Sequence, residues 1–373
     1  MKKIKRKKLK VIIAMSGGID SSVAAALLKQ KGCKVIGVFM KLWSEPGKNG
    51  LVGIPNRCCS PEAEKRARLV AKKLGIPFYV FNFEKEFKKK IVDYFLNEIK
   101  KGKTPNPCVV CNKEIKFGLL LKKALPLNTD FTATGHYARR KVSSSKYEQV
   151  LRKRVQVLDY KLLKGKDKNK DQSYFLWQLD QKQLKRILFP VGDYTKNQVR
   201  SLAKKFKLPI FEVPESQEIC FVQTTINDFL KKHLKPKPGN IVDKSGKILG
   251  KHFGLYFYTI GQRRGIRLPG GPYFVLDKDV KNNLLIVTKN ERVLYKKELI
   301  AKDINWIFDE APKLPLKVKA KIRYGHKAAL ATISKQRNNR IKVVFSKSQR
   351  AITLGQSVVF YKGQEVLGGG VIE

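Results

Sequence analysis

The stretch Val11-Ile-Ile-Ala-Met-Ser-Gly-Gly-Ile-Asp-Ser-Ser-Val-Ala-Ala-Ala26 reads as a buried strand, a tight loop and the start of a helix. Gly17 and Gly18 let the backbone approach a phosphate, and Ser16, Ser21 and Ser22 supply hydroxyl donors. The helix that follows offers free N–H groups and the positive end of its dipole, which together make an anion site. No Lys-Ser or Lys-Thr ends the loop, so it is not a Walker phosphate loop. Asp20 would repel a phosphate unless it holds magnesium or caps the helix through backbone N–H groups. The bland alternative is a structural turn that happens to read Ser-Gly-Gly.

Outward from this loop, apolar strands alternate with amphipathic helices. The patterning predicts strands over 9–15, 34–40, 78–83 and 131–135, and helices over 22–31, 61–74, 87–101 and 113–124. Strands separated by helices imply an α/β domain with a doubly wound parallel sheet. Residues 139–170 carry repeated charges and short alternating runs, suggesting a hairpin at the domain edge. Helical patterns resume at 181–188 and 196–207. After about residue 212 Gly and Pro become frequent between short β-rich runs, such as 284–288, 317–322, 341–345 and 357–361. The chain therefore divides into an α/β domain over 1–212 and two small β-rich domains over 213–287 and 288–373.

Its 373 residues are too many for one ordinary core. Lys plus Arg number 79 against 30 Asp plus Glu, a formal charge of +49. That excess suits a polyanion held through phosphates, although a lineage rich in lysine would also produce it. The basic opening before Leu9 resembles a signal peptide only briefly. It runs into Ser-Gly-Gly instead of a cleavage site, so a lead-in to a buried first strand is the better reading. No apolar run reaches the roughly 20 residues of a bilayer span. A cytoplasmic, monomeric protein with reduced cysteines is the expectation.

The cysteines are unevenly placed. Cys108-Val-Val-Cys111 follows Pro105 and Pro107, which are expected to fix an extended loop with a helix beginning near Asn112. A thiol at a helix N-terminus beside Lys113 should be acidified, making Cys111 a candidate nucleophile. Cys220 lies just after the last helix of the α/β domain. Cys33 and the Cys58-Cys59 pair read as buried or incidental thiols. One CxxC with no completing pair is weak support for zinc.

The glycine-loop string SGGIDSS resembles the PP-loop of the N-type ATP pyrophosphatases, which adenylate a carbonyl oxygen and release pyrophosphate. SGGIDSS, TPNPCVVCNKEIKFG, ATGHY, KDQSYFL and ESQEICF follow one another in this order, and Thr259-Ile-Gly-Gln-Arg-Arg-Gly265 comes later. With these strings nearly the whole chain resembles the tRNA-specific 2-thiouridylase family. That resemblance implies a PP-loop ATPase domain followed by two β-rich domains, the last a β-barrel. It implies sulfur transfer to C2 of the wobble uridine 34 in tRNAs for Lys, Glu and Gln, using ATP and magnesium, with a cysteine desulfurase or a relay protein as sulfur donor. By the same resemblance, Ala14, Met15, Ser16, Gly17, Gly18, Ile19, Asp20, Ser21 and Met40 hold ATP, and Gly135 closes over it. Cys111 matches the nucleophile and Cys220 the persulfide carrier. Asn106, Pro107 and Cys108 match the loop that meets the target base. His136, Lys170, Asp171, Gln172, Arg323, Tyr324 and Gln356 match tRNA contacts; the bland reading of His136 is a satisfied structural histidine.

The residues taken alone agree with that chemistry. Adenylation turns a carbonyl oxygen into a leaving group, and a persulfide with a second thiolate to release its sulfur needs two cysteines. Arg263 and Arg264, in a Gly-flanked loop, suit phosphate contact or mere surface charge. One departure stands out: many family members carry Asp where this chain has Cys108. Cys108, Cys111 and Cys220 together would suffice for an iron–sulfur cluster with one open iron, so that route stays beside the persulfide. A PP-loop ligase adding an amine to tRNA would not need the two cysteines. A plain RNA-binding protein would not need an intact glycine loop.

Overall fold

The computed structural model describes residues 8–44, 60–150, 153–210, 219–222 and 224–373, and their side chains except those of 144–157. The Cys58-Cys59 pair, the segment 211–218 and the opening residues 1–7 lie outside them.

Strand β1 (Lys10–Ala14) leads into helix α1 (Ile19–Gln30), which begins three residues earlier than the apolar pattern suggested. Then come β2 (Lys34–Lys41), α2 (Pro61–Leu74) and β3 (Phe78–Asn82). Ser60 starts α2 by accepting the Ala63 N–H, and Gly75, left-handed at φ 57°, ends it. Two interrupted helical stretches follow. The first runs through α3 (Glu84–Phe87), a π-helical turn and α4 (Asp93–Lys100). The second runs through α5 (Pro107–Cys111), a π-helical segment (Asn112–Leu119) and α6 (Leu120–Ala124). Strand β4 (Phe131–Ala133) returns to the sheet beside β1.

After the hairpin of β5 (Ala138–Val150) and β6 (Lys153–Lys164) come α7 (Gln181–Leu184) and β7 (Ile187–Leu188). The pattern over 181–188 suggested one helix. Asp180 starts it with a capping box, but it lasts four residues before Ile187 and Leu188 pair with β4. Helix α8 (Lys196–Lys205) starts on a second capping box at Thr195. The resulting sheet has the order β3-β2-β1-β4-β7, and all its pairings are parallel. Val11, Ile12 and Ile13 are fully buried because β1 is central and covered on both faces.

Helix α9 (Ile226–His233) was not legible in a segment that read as β-rich. Its Phe229 and Leu230 pack with Trp43, Phe87, Phe95, Cys111 and Phe221. A small sheet of order β10-β11-β8-β9 then forms from β8 (Gly239–Val242), β9 (Ile248–His252), β10 (Phe274–Asp279) and β11 (Leu284–Thr288). The last six strands are β12 (Tyr295–Trp306), β13 (Leu316–Lys321), β14 (Ala329–Gln336), β15 (Arg340–Arg350), β16 (Ser357–Lys362) and β17 (Glu365–Ile372). They close into a barrel where β17 pairs with β12.

The 138–164 hairpin is more than an edge excursion. Strand β6 pairs with β17, so the hairpin extends the barrel sheet from within the α/β region. Gly369 makes this junction close: a Cβ there would lie 2.9 Å from the Trp177 ring and 2.6 Å from the Val358 carbonyl.

Candidate active site

The glycine loop is built as an anion cradle. Gly17 sits at φ +72°, and a Cβ there would be 2.2 Å from the Ala63 carbonyl, so only glycine fits. The Ser21 hydroxyl accepts the Ser16 N–H at 3.2 Å and donates to the Gly18 carbonyl at 3.1 Å. Ser22 donates to the same carbonyl at 2.9 Å. Gly18 is the N-cap residue, so the start of α1 has no side-chain cap. Its first-turn N–H groups then remain directed at whatever occupies the loop, as phosphate binding needs. Ala14, Met15 and Ile19 are buried in the core, and Met40 is partly buried against it, so the first three can meet a nucleotide only through backbone. Gly135 lies directly over the loop: a Cβ there would be 2.6 Å from the Ser21 nitrogen.

Asp20 does not cap α1. Its carboxylate accepts the Tyr137 hydroxyl at 2.7 Å and the buried Lys196 ammonium at 2.7 and 2.9 Å. Neither Tyr137 nor Lys196 was legible as a site residue, since they lie 117 and 176 positions away. Arg66 adds a further cation, donating to the Gly17 carbonyl at 3.2 Å.

The cysteine loop differs from expectation in two ways. Pro107 is not part of an extended loop but the first residue of α5, where its missing N–H costs nothing. Cys111 therefore lies inside the helical stretch that Pro107 begins and Asn112–Leu119 continues, not at its N-terminus, so the positive end of the dipole does not acidify it as expected. Burial and the neighbouring thiols push both Cys108 and Cys111 up to about 12, against the opposing pull of Lys116. Lys116, not the exposed Lys113, is the cation of this site. Cys220 is brought to both thiols and packs in the same apolar cluster as Cys111. Among the described residues no three Cys, His, Asp or Glu side chains are disposed to hold a metal ion. The three thiols share one neighbourhood.

Several residues matched to tRNA contacts are committed to the fold. Asp171 accepts from the Gly165 and Ser173 N–H groups at 3.0 Å each, and Gln172 accepts the Tyr137 N–H at 3.0 Å. Lys170 flanks them on the same turn. Arg323 donates to the Ala351 carbonyl at 2.6 Å, to the Ile260 carbonyl at 3.3 Å and to the Thr353 hydroxyl. Gln356 donates to the Thr104 carbonyl at 2.7 Å. His136 shares a 2.8 Å hydrogen bond with Thr134 and stands between Phe117 and Phe189. Burial and then Lys116 hold its pKa well below the usual histidine value, so it is neutral.

Tyr324 remains open to solvent and lies 4.5 Å from Phe175, centroid to centroid. Beneath that pair, Asn106 bonds the Tyr174 hydroxyl and Asn112 donates to the Phe175 carbonyl at 3.0 Å. The segment from Asn106 to Asn112 and an aromatic step are thus one packed unit. Arg263 and Arg264 are exposed in their loop.

Residues 9–224 match the family model described as tRNA methyl transferase HUP domain, 227–289 the tRNA methyl transferase PRC-barrel domain, and 296–372 the aminomethyltransferase beta-barrel domain. A tRNA-specific 2-thiouridylase MnmA from Clostridioides difficile is 50% identical over 98% of this chain and 98% of its own. Relatives of the same name from Carboxydothermus hydrogenoformans and Clostridium perfringens are 47% and 45% identical, each over 98% of this chain, covering 97% and 99% of their own lengths. A parallel-sheet phosphate cradle, clustered thiols and a terminal barrel, with similarity running through all three, give one conclusion: the chain belongs to the tRNA-specific 2-thiouridylase family.

Proposed function

We propose that this chain is an ATP-dependent tRNA sulfurtransferase that converts the wobble uridine of tRNAs for Lys, Glu and Gln to 2-thiouridine. The observation that carries the reading is the gathering of Cys108, Cys111 and Cys220 in one place, although Cys220 is 109 positions beyond Cys111. The methyl transfer named by the family models has no use for such a cluster beside an anion cradle.

In the proposed reaction the uridine O2 attacks the α-phosphorus of ATP, pyrophosphate leaves, and C2 carries an adenylate. The cradle of Gly17, Gly18 and Ser21 holds the phosphates, and Asp20 is the residue that would hold magnesium, which shields their charge. The terminal sulfur of a persulfide on Cys220 adds to C2, and AMP departs with the former O2. Cys111, a neutral thiol at rest, then gives up its proton as its sulfur attacks the inner sulfur of Cys220, and N3 of the uracil, which lost its proton on adenylation, regains one. That S–S bond breaks, the outer sulfur stays on C2 as the thione, and a Cys111–Cys220 disulfide forms. An external thiol reduces the disulfide, and a sulfur-donating protein reloads Cys220. The domain division at 212 and 287 and a monomeric state belong to the same reading.

The test is a reconstituted assay with an unmodified tRNA transcript, ATP and a persulfide donor. Thiolated tRNA and pyrophosphate are expected together and in equal amounts. Pyrophosphate release without any thiolated product would point to another nucleophile and overturn the sulfur assignment.

A further inference from the structure

Lys196 is the first residue of α8, the place in a helix where a cation is least favoured by the dipole. It is nevertheless buried, with its side chain 7% exposed and its ammonium 2.7 Å from Asp20. Its N–H is bonded to Asp167, and its ammonium lies 5.9 Å from the Tyr137 ring centre. Removing a cation from water against a helix dipole costs free energy that one partner carboxylate offsets only partly. The Asp20 side chain stays 32% exposed, so the pair is closed on the lysine side and open on the loop side. Two helix N-termini, those of α1 and α8, converge on this pair with one ammonium and one carboxylate. The local field is therefore positive, and it suits more negative charge than Asp20 brings.

We propose that Lys196 is a catalytic cation of the glycine loop, parked on Asp20 in the free protein and transferred to the β- and γ-phosphates when ATP binds. The inference rests on the ATP reading above and deepens it. Tyr137 is a positioning residue in this arrangement: its hydroxyl keeps a hydrogen bond to Asp20 when the ammonium leaves, so the carboxylate is not abandoned. During the chemical step Lys196 stabilises the charge that accumulates on departing pyrophosphate.

AMP shares the adenosine and α-phosphate but lacks the groups Lys196 would meet. Equilibrium binding of ATP and AMP to the full chain therefore tests the assignment. Lys196→Met is expected to weaken ATP by about 10- to 100-fold, the scale of one lost charge-assisted contact, while AMP changes little. Retained AMP binding also reports that the variant is folded. The single variant leaves Asp20 with the Tyr137 hydroxyl but no cation, and therefore repulsive, so the deciding measurement compares the double variant Asp20→Asn with Lys196→Met against Asp20→Asn alone. ATP binding that is about 10-fold or more weaker in the double variant than in Asp20→Asn, with Arg in place of Lys196 recovering part of it, supports direct phosphate contact. Equal ATP binding by the double variant and Asp20→Asn would reduce Lys196 to a neutraliser of Asp20 and overturn the proposal. Equal loss of ATP and AMP in both variants would make it a structural tie between α1 and α8, and would overturn it as well. Failure of the wild-type chain to bind ATP would instead sink the nucleotide reading on which the inference stands.

Discussion

The Gln356 carboxamide donates to the Thr104 carbonyl at 2.7 Å, joining the barrel to the segment that leads into the cysteine helix 252 positions earlier. The Thr104 N–H donates in turn to the Leu354 carbonyl at 2.9 Å. Between them Gly355, at φ +85°, lies so close that a Cβ would be 2.9 Å from that of Lys103. The barrel thus grips the approach to Cys108 and Cys111 through backbone and one amide.

Replacing Gln356 by Ala should cost about 1 kcal/mol of stability, the worth of one part-buried hydrogen bond. Because the bond sets the cysteine loop and not the nucleotide loop, thiolation should fall several-fold while ATP affinity holds. Equal losses in both would show that the contact does not act through the cysteine loop.

Cys111 and Cys220 should separate the two half-reactions. Serine at either position is expected to abolish thiolation while tRNA-dependent pyrophosphate release continues, since neither thiol takes part in adenylation. Cys108→Ser should retain thiolation within about tenfold, because the persulfide route uses two thiols. A Cys108→Ser variant as dead as the other two would mean that three thiols act together.

Burial raises Cys108 and Cys111 from 9.0 to about 12, so both are neutral thiols at pH 7 in the free protein. Iodoacetamide labelling of these two should be slow at neutral pH and keep rising beyond pH 9 without a plateau there. The linked effect on stability has a definite sign. The unfolded chain loses these protons first, so the contribution is full below pH 9 and declines as pH rises towards 12. A labelling plateau near pH 7 would contradict the buried-thiol geometry.

Gly135→Ala places a methyl 2.6 Å from the Ser21 nitrogen and 2.8 Å from the Asp20 carbonyl carbon. Both neighbours are backbone, so the loop itself must shift. ATP affinity should fall by at least about tenfold, given that sub-ångström placement governs phosphate contacts, and tRNA binding should be little changed. Crystals or binding data showing an undisturbed ATP site in that variant would refute the close approach.

Several features could be read without coordinates. The strand–loop–helix of residues 11–26, with its glycines and serines, determined the anion cradle, because backbone freedom and helix polarity are local properties. Alternation of apolar strands and amphipathic helices determined the α/β sheet for the same reason. Local pattern misled where a neighbour overruled it: Ile187 and Leu188 look helical until β4 recruits them, and α9 hides in a Pro-rich segment until Phe229 finds an aromatic cluster. Cys111 misled most, since its acidity depends on where in the helical stretch it falls and on how deeply the thiols are buried. Contacts over more than a hundred positions were beyond any local signal. Tertiary structure alone decided that Lys196 and Tyr137 meet Asp20, that the 138–164 hairpin extends the barrel sheet, and that Gln356 holds Thr104. Sequence spacing fixes what a segment prefers by itself; side-chain pairing, burial and the pKa values they set exist only once distant segments exclude water between them.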